Sequence, residues 1–372
     1  MARVGWRMMF HDRLKMIGTL LGVVFAVFLS NQQLATFFGL IYKNYMFADH
    51  SGADMWVIPK DARTLEPAAP LSDPVLMAAR ATAGVAVADP LLYTGATIQT
   101  PSGGKEAVTL VGTRAPHFLG GPWAMVAGTP EALMRPRTMT FEIANREKLG
   151  SLNLGSVREV NGRQVVVGGF TWGLQAFAPS YAFAEYELAR ELSGTAPDKF
   201  NYVVIKLDAG ADVEKVRKAL APRVPEGKVV TSAEFRAMII KNLVVGTPIG
   251  ITFATSAFFG LLIGFIIVAL SMFSSVLDHL REFGTLKAIG ATTRDLSKLL
   301  LVQSLTYAAV GWVLGTFLVT RLANAIRSPQ LVVFVPVELM AATFVIMLLI
   351  CVAASSLALL RIRKLEPGMV FR

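Results

Sequence analysis

The chain has 372 residues, of which 53% are hydrophobic and only 17% are charged. Soluble globular chains carry about 25% charged residues, so this composition excludes an ordinary soluble protein, a disordered chain, a collagen and a coiled-coil rod. The net charge is +10, from 36 Lys and Arg against 26 Asp and Glu. That charge suits nucleic acid or an anionic membrane surface, and the placement of the charges decides between them.

Four stretches of the chain contain no Asp, Glu, Lys or Arg, and each is long enough for the roughly 20 helical residues that cross a bilayer. They are residues 16–42, 242–277, 299–320 and 339–360. The first is longer than the roughly 7 to 15 apolar residues of a secretory signal, and no small-residue cleavage site follows it. We therefore predict four transmembrane helices, the first an uncleaved anchor and the second preceded by a stalk within 242–277.

Basic residues flank the predicted helices unevenly. Four lie in each of 1–15, 278–298 and 361–372, against two in the short loop 321–338. Because Lys and Arg accumulate in cytoplasmic segments, both termini and the 278–298 loop are predicted to be cytoplasmic, with 1–15 an amphipathic helix on the membrane surface and 321–338 on the opposite side. Residues 43–241 carry 22 basic and 20 acidic residues, so they form a nearly neutral extracytoplasmic domain, and nucleic acid is not an expected partner.

The extracytoplasmic segment mixes strand and helix patterns. Apolar and β-branched runs bounded by Gly, Pro and Asn predict strands, and Ser72 followed by Pro74 predicts the start of a helix. The strands are expected at 107–111, 163–167 and 201–207 and the helices at 72–81 and 211–220. We predict an α-helical membrane protein with a large α+β extracytoplasmic domain of two lobes, the more β-rich lobe covering about 128–195.

The sequence contains none of the catalytic motifs tested. It has no G-x-x-x-x-G-K-[ST], no G-x-S-x-G and no H-E-x-x-H, and Gly103-Gly104-Lys105 is better explained as a hairpin turn than as a phosphate loop. Its single cysteine and four scattered histidines provide no local metal cluster. We therefore predict no catalytic residue, no metal site and no cofactor in this chain.

The predicted cytoplasmic loop contains a short amphipathic pattern between two glycines, Gly284 and Gly290. Leu286 and Ile289 are three residues apart on one face, and Lys287 lies on another. Phe283 is a third apolar residue in this segment. Connecting loops rarely expose apolar side chains to water. The pattern favours a small helix that docks on a partner over a plain connection.

Local signals define the ends of this small helix. Gly290 can adopt the left-handed conformation that stops a helix. Thr292 and Asp295 have the spacing of a capping box that starts the next one.

The segment Arg-Glu-Phe-Gly-Thr-Leu-Lys-Ala-Ile-Gly-Ala at 281–291 resembles the hallmark of FtsX-like permeases, the membrane subunits of MacB-type ABC systems. The layout of one span, a large external domain and three further spans is also similar. Segments 161–170, 208–212 and 361–371 resemble the DevC-like branch. Unlike MacB, this chain has no fused ATPase domain.

The resemblance implies a mechanism and a set of partners. A separate ABC ATPase, which binds ATP and Mg²⁺, would drive the membrane helices, and the periplasmic domain would pass the motion to an HlyD-like adaptor and a TolC-like outer-membrane duct. The chain would act as a homodimer in membrane lipid, without catalytic activity of its own. The residues implied to contact the ATPase are Arg281, Glu282, Phe283, Gly284, Leu286, Lys287, Ile289 and Gly290.

Several further features leave alternatives open. Gly260-x-x-x-Gly264 and Gly311-x-x-x-Gly315 permit close helix approach, either between two copies or within one chain. Asn31, near the outer end of the first span, is better explained as an interfacial residue than as a functional one. At the level of function, an FtsX-like signalling scaffold that controls cell-wall hydrolases and a lipoprotein-release permease share the topology of an exporter.

Overall fold

A computed structural model describes residues 12–66, 69–174, 179–326 and 333–363. Most of the predicted amphipathic segment 1–15, a third of the loop 321–338 and most of the tail 361–372 lie outside these residues. The described residues divide into two compact units, a membrane unit within 12–39, 248–326 and 333–363, and a large domain within 40–247.

Long helices precede and follow the strands along the chain. The helices are α1 (Arg13–His50), α2 (Asp73–Arg80), α3 (Tyr186–Ser193), α4 (Val213–Leu220), α5 (Ser232–Lys241), α6 (Pro248–Asp278), α7 (Leu280–Ala288), α8 (Thr293–Ala325) and α9 (Val337–Arg363). The strands are β1 (Met55–Pro59), β2 (Leu71–Ser72), β3 (Val85–Gln99), β4 (Lys105–Thr113), β5 (Met125–Ala127), β6 (Thr138–Glu142), β7 (Val157–Val160), β8 (Arg163–Thr171), β9 (Ser180–Glu185), β10 (Lys199–Phe200), β11 (Tyr202–Leu207) and β12 (Gly227–Thr231). A π-helical turn, Asn242–Gly246, connects α5 to α6.

Within the membrane unit, α1, α6, α8 and α9 are each long and apolar enough to cross a bilayer. The prediction of four membrane helices with one large α+β domain is confirmed. The helices exceed the charge-free runs: α1 continues to His50, and the segment 278–298 is mostly helical rather than a loop.

The large domain is built on one mixed sheet in the order β12-β1-β11-β3-β4-β9-β6-β8-β5, with β7 beside β3 and β8. Strand β3 is the connection between two parts of the sheet. Its first half, to Leu91, pairs with β11, and its second half, from Leu92, pairs with β4. The strands of the segment 128–195 therefore lie in the part of the sheet that also contains β4, β5 and the second half of β3. The turn at Gly103 and Gly104 closes the β3–β4 hairpin, with Thr100 N donating to Gly104 O at 2.8 Å.

Both faces of the sheet are buried at β1, whose side chains point alternately to the two faces. Met55 and Val57 belong to a core covered by α2, α3 and α4, whereas Trp56 and Ile58 belong to an aromatic core on the opposite face. Local caps start two of the helices, α4 within the predicted helix 211–220 and α5 at a position where no helix is predicted from the sequence. The Asp212 carboxylate accepts from two backbone N–H groups at the start of α4, and Thr231 with Glu234 forms a capping box at the start of α5.

Candidate functional site

The short helix α7 and its two flanking turns form the candidate partner-binding segment. Gly290 has a φ of +105° and ends α7. Gly290 N donates to Lys287 O at 3.1 Å and Ala291 N to Leu286 O at 2.9 Å, the paired bonds of a Schellman motif. Two residues later, the Thr292 hydroxyl and the Asp295 carboxylate form a capping box at the start of α8. These caps fix the exit from α7 tightly, so its last turn is a defined surface.

The three apolar residues of the segment have different surroundings. The Ile289 side chain is 80% exposed, and Leu286 is partly buried against the membrane-unit core. Phe283 is only 1% exposed and lies in the buried cluster that contains Val276 and Leu296. The prediction that water meets Phe283 is therefore wrong, because α6 and α8 cover it. Phe283 anchors α7 to the bundle, and Ile289 is the exposed apolar group.

The other residues of the segment differ in exposure. Glu282 is exposed, and its carboxylate lies 3.1 Å from His279 Nδ1. Lys287 is half-buried, and Gly284 is buried. The side chain of Arg281 lies outside the described atoms. Among the described side chains of the predicted set, those of Glu282 and Ile289 are exposed, and Gly290 is exposed beside Ile289.

The four glycines of the two G-x-x-x-G motifs all face α1. A β-carbon added at Gly264 would lie 2.5 Å from the Ala26 β-carbon, and one at Gly260 would lie 2.8 Å from Ser30 Oγ. On α8, Gly311 meets Val23 and Gly315 meets Val27. These contacts lie within one chain, so they favour intrachain packing over a dimer interface. Helix α1 is held in two glycine-lined grooves.

Polar side chains inside the bundle add to this packing, and the sequence predicts no such role for them. Asn31 is expected at the membrane interface, yet its side chain is fully buried. Its Nδ2 donates to Thr316 Oγ1 at 3.3 Å. The Thr19 and Ser271 hydroxyls also hydrogen-bond, which links α1 to α6. The sequence feature that indicates the burial of Asn31 is its spacing, four residues after Val27 and eight after Val23, which places it on the buried stripe of α1.

No group of three or more His, Cys, Asp or Glu in the described ranges could hold a metal ion. The membrane unit instead offers a packed helical bundle with one exposed capped turn.

Comparison with known proteins concerns mainly this bundle. Residues 254–367 match the family model described as FtsX-like permease C-terminal. The chain contains an FtsX-like permease domain. The confirmed family resemblance covers α7 and its caps, so the hallmark segment at 281–291 lies inside the FtsX-like domain.

One relative is an ABC transporter permease of Methanocaldococcus jannaschii, MJ1507, which is 31% identical over 135 residues. That match covers 35% of this chain and 33% of the relative, so the chain spans about a third of the relative's length. ABC permeases of this family normally act without catalysing a reaction themselves.

Two solved domains resemble parts of the chain. The periplasmic region of MacB from Actinobacillus actinomycetemcomitans is 11% identical, with a TM-score of 0.40. The match covers 50% of this chain and 94% of the MacB region. The extracellular domain of YknZ, an ABC-type transporter from Gram-positive bacteria, is 15% identical, with a TM-score of 0.37. The match covers 48% of this chain and 98% of the YknZ domain. The assignment of the FtsX-like domain depends on the family match.

Proposed function

We propose that this chain is the permease subunit of a MacB- or DevC-like ABC export system. A separate ATPase binds the α7 turn, and the large domain passes the resulting motion to an adaptor and an outer-membrane duct. Two copies of the chain work together in the inner membrane, with both termini cytoplasmic and the large domain periplasmic.

The observation that carries this proposal is the docking of two helices on one face of the domain's sheet. Phe47, from the last turn of α1, lies 6.3 Å from the Trp56 ring, and Phe235, from the first turn of α5, lies 5.3 Å from it on ring-centroid distances. The Trp56 indole N–H also donates to Ser232 Oγ at 3.1 Å. Trp56 thus connects both helices to β1.

The two helices also contact each other directly. Arg236 Nη1 lies 3.4 Å from Asp49 Oδ2, and its guanidinium carbon lies 5.7 Å from the centre of the Tyr45 ring. Helix α1 runs unbroken from Arg13, and α5 leads through the π-helical turn to α6. A shift of either span would therefore act on the sheet through side chains that are already packed.

The ATPase contact is testable at Ile289. We expect Ile289→Asp to abolish co-purification of the partner ATPase, because it puts a charge where an apolar contact is inferred. Lys298→Asp is the matched control, since that side chain is 70% exposed on the first turns of α8. Retention of the ATPase by Ile289→Asp at the level of the control would place the contact elsewhere.

The signalling and lipoprotein-release alternatives share this ATPase contact, so a second measurement separates them from export. Reconstituted complex with adaptor should move cargo across the membrane in an ATP-dependent way. An ATPase-coupled complex that activates a cell-wall hydrolase, or releases a lipoprotein from the bilayer without an adaptor, would assign the chain to one of the other two classes.

A further inference from the structure

A groove with a volume of about 770 Å³ lies between α1 and α8 in the membrane unit. On α1 its wall is Leu21, Val24, Phe25 and Phe28, which are spaced i, i+3, i+4 and i+7. This spacing places all four on one stripe of the helix. Leu21 is 62% exposed and Phe25 is 53% exposed, so the stripe is open along the groove.

The facing wall on α8 repeats the same spacing with one polar exception. Its residues are Leu318, Arg321, Leu322 and Ala325. Arg321 is the first charged residue after the charge-free run 299–320, so it lies at the end of the span, where a guanidinium reaches the interface. Every other residue of the lining is apolar. The groove is therefore an apolar site with a single charged residue in its lining, on the α8 wall.

Arg321 is held in place without a carboxylate. Its guanidinium carbon lies 5.0 Å from the centre of the Phe317 ring, one turn earlier on α8. Among the described residues no carboxylate lies within ion-pair distance of it. Stacking on Phe317 orients the planar guanidinium and leaves its N–H donors for an anion.

The close contact of the helices beside the groove gives it a fixed wall. Gly311 and Gly315 allow α8 to approach Val23 and Val27 of α1, and these two valines are buried. The groove is thus a concave surface, unlike the convex apolar stripe of α9 at Val345 and Leu349, which is also exposed. Bulk lipid can cover the convex stripe, whereas the groove and its Arg321 charge select the shape and charge of one molecule.

We infer that this groove binds an anionic phospholipid of the membrane, with an acyl chain along the apolar stripes and the headgroup phosphate on Arg321. Grooves with a basic residue between transmembrane helices recognise lipid headgroups by this chemistry, and guanidinium binds phosphate in a bidentate way. The inference rests on the proposed function only for the side of the membrane, which is the periplasmic leaflet if both termini are cytoplasmic.

Native mass spectrometry of the full chain, exchanged into phosphatidylglycerol or phosphatidylcholine with identical acyl chains, tests the site. We expect the wild-type chain to retain one phosphatidylglycerol in preference to phosphatidylcholine. Arg321→Gln should weaken that retention about tenfold, the loss expected of one charged hydrogen-bonding partner, and Arg321→Lys should keep most of it. Lys298→Gln, at the opposite end of the same helix, is the charge control and should change nothing.

The apolar part of the site has its own pair of variants. Leu318→Trp fills the groove and should reduce retention of both lipids, whereas Leu349→Trp on the convex stripe of α9 should not. Equal retention by Arg321→Gln and wild type, or a cross-link between two copies at Leu318, would overturn the inference, the latter by making the groove an interface between protomers. These readouts need no ATPase, so failure of ATPase binding at Ile289 is distinguishable from failure of lipid binding at the groove.

Discussion

The side chains of Lys43 and Glu142 hydrogen-bond to the backbone carbonyl and the backbone N–H of the same residue, Gly173. The Lys43 ammonium donates to the carbonyl of Gly173, and the Glu142 carboxylate accepts from the Gly173 N–H at 2.7 Å. Glu142 also accepts from Leu174 N and from the Thr171 hydroxyl. Within the large domain, the last part of α1 is thereby tied to the end of β8 through a buried polar cluster.

This cluster predicts a pH dependence of stability. Burial raises the pKa of Glu142, although the hydrogen bonds from Gly173, Leu174 and Thr171 lower it. Because the folded state holds the proton more tightly than the unfolded state, Glu142 favours folding most below its ordinary pKa of 4.5, and this contribution declines as pH rises through the raised pKa.

The measurement is the thermal unfolding midpoint of wild type and of Glu142→Gln in detergent, from below the ordinary pKa of 4.5 to above the raised pKa. The midpoint of wild type should fall relative to that of the variant as pH increases, since the amide does not titrate. Glu159→Gln removes an exposed carboxylate of the same sheet and should keep the wild-type slope. Parallel curves for wild type and Glu142→Gln would contradict the prediction.

The glycines of α6 and α8 give a second prediction. Gly264→Leu should destabilise the bundle by about 1–3 kcal/mol, the usual cost of overpacking, because its side chain would collide with Ala26. Gly18→Leu is the control, since no atom lies within 4 Å of a β-carbon added there. Thermal unfolding of both variants decides it, and an equal effect at the two positions would mean that Gly264 is not a packing site.

An exposed apolar pair on the large domain gives a third prediction, for the adaptor. Val126, on the edge strand β5, is 54% exposed, and Trp172, at the end of the adjacent β8, is 50% exposed. Exposed aromatic residues are enriched in interaction surfaces. We expect Trp172→Ala to weaken adaptor binding at least tenfold in a pull-down titration, and Leu154→Ala, which is 53% exposed elsewhere, to leave it unchanged. The same affinity for both variants would exclude this surface.

Much of the membrane unit could be predicted because its signals are local. The membrane spans follow from runs of residues without charge, which can be read directly along the sequence. Gly290 and Thr292 mark helix ends through contacts within one helical turn. The burial of Phe283 could not be predicted, because its neighbours come from α6 and α8, outside the amphipathic pattern of α7. Asn31 was missed for the same reason, since only its partner Thr316 on another helix makes the buried position acceptable.

The large domain shows the same limit on a larger scale. Individual strands follow from apolar runs, but the parallel pairing of β4 with β9 joins Val108 to Ser180, with no local feature that specifies it. The role of β3 as the strand that joins the two parts of the sheet also depends on pairing with β11, more than a hundred residues later. The sequence therefore indicates individual strands but not the single sheet that they form.

The final prediction concerns Trp56 and the coupling of the domain to the spans. Trp56→Ala should leave ATPase binding intact, because Ile289 belongs to the other unit, and should lower the cargo moved per ATP hydrolysed, because α1 and α5 lose their shared contact on β1. Trp56→Phe should restore most of the coupling, since an aromatic ring still reaches Phe235. The readouts are ATP hydrolysis and transport by the reconstituted complex.

Truncating a buried aromatic also costs about 3–5 kcal/mol of stability, so coupling must be separated from simple destabilisation. Phe141→Ala provides that control. Phe141 is equally buried, but it lies in the core on the opposite face of the sheet, away from α1 and α5. We expect both variants to lower the thermal midpoint similarly, and only Trp56→Ala to reduce transport per ATP. If Phe141→Ala lowers transport per ATP to the same extent, general destabilisation of the domain explains the effect. Trp56 then has no special role in passing motion from the helices to the sheet.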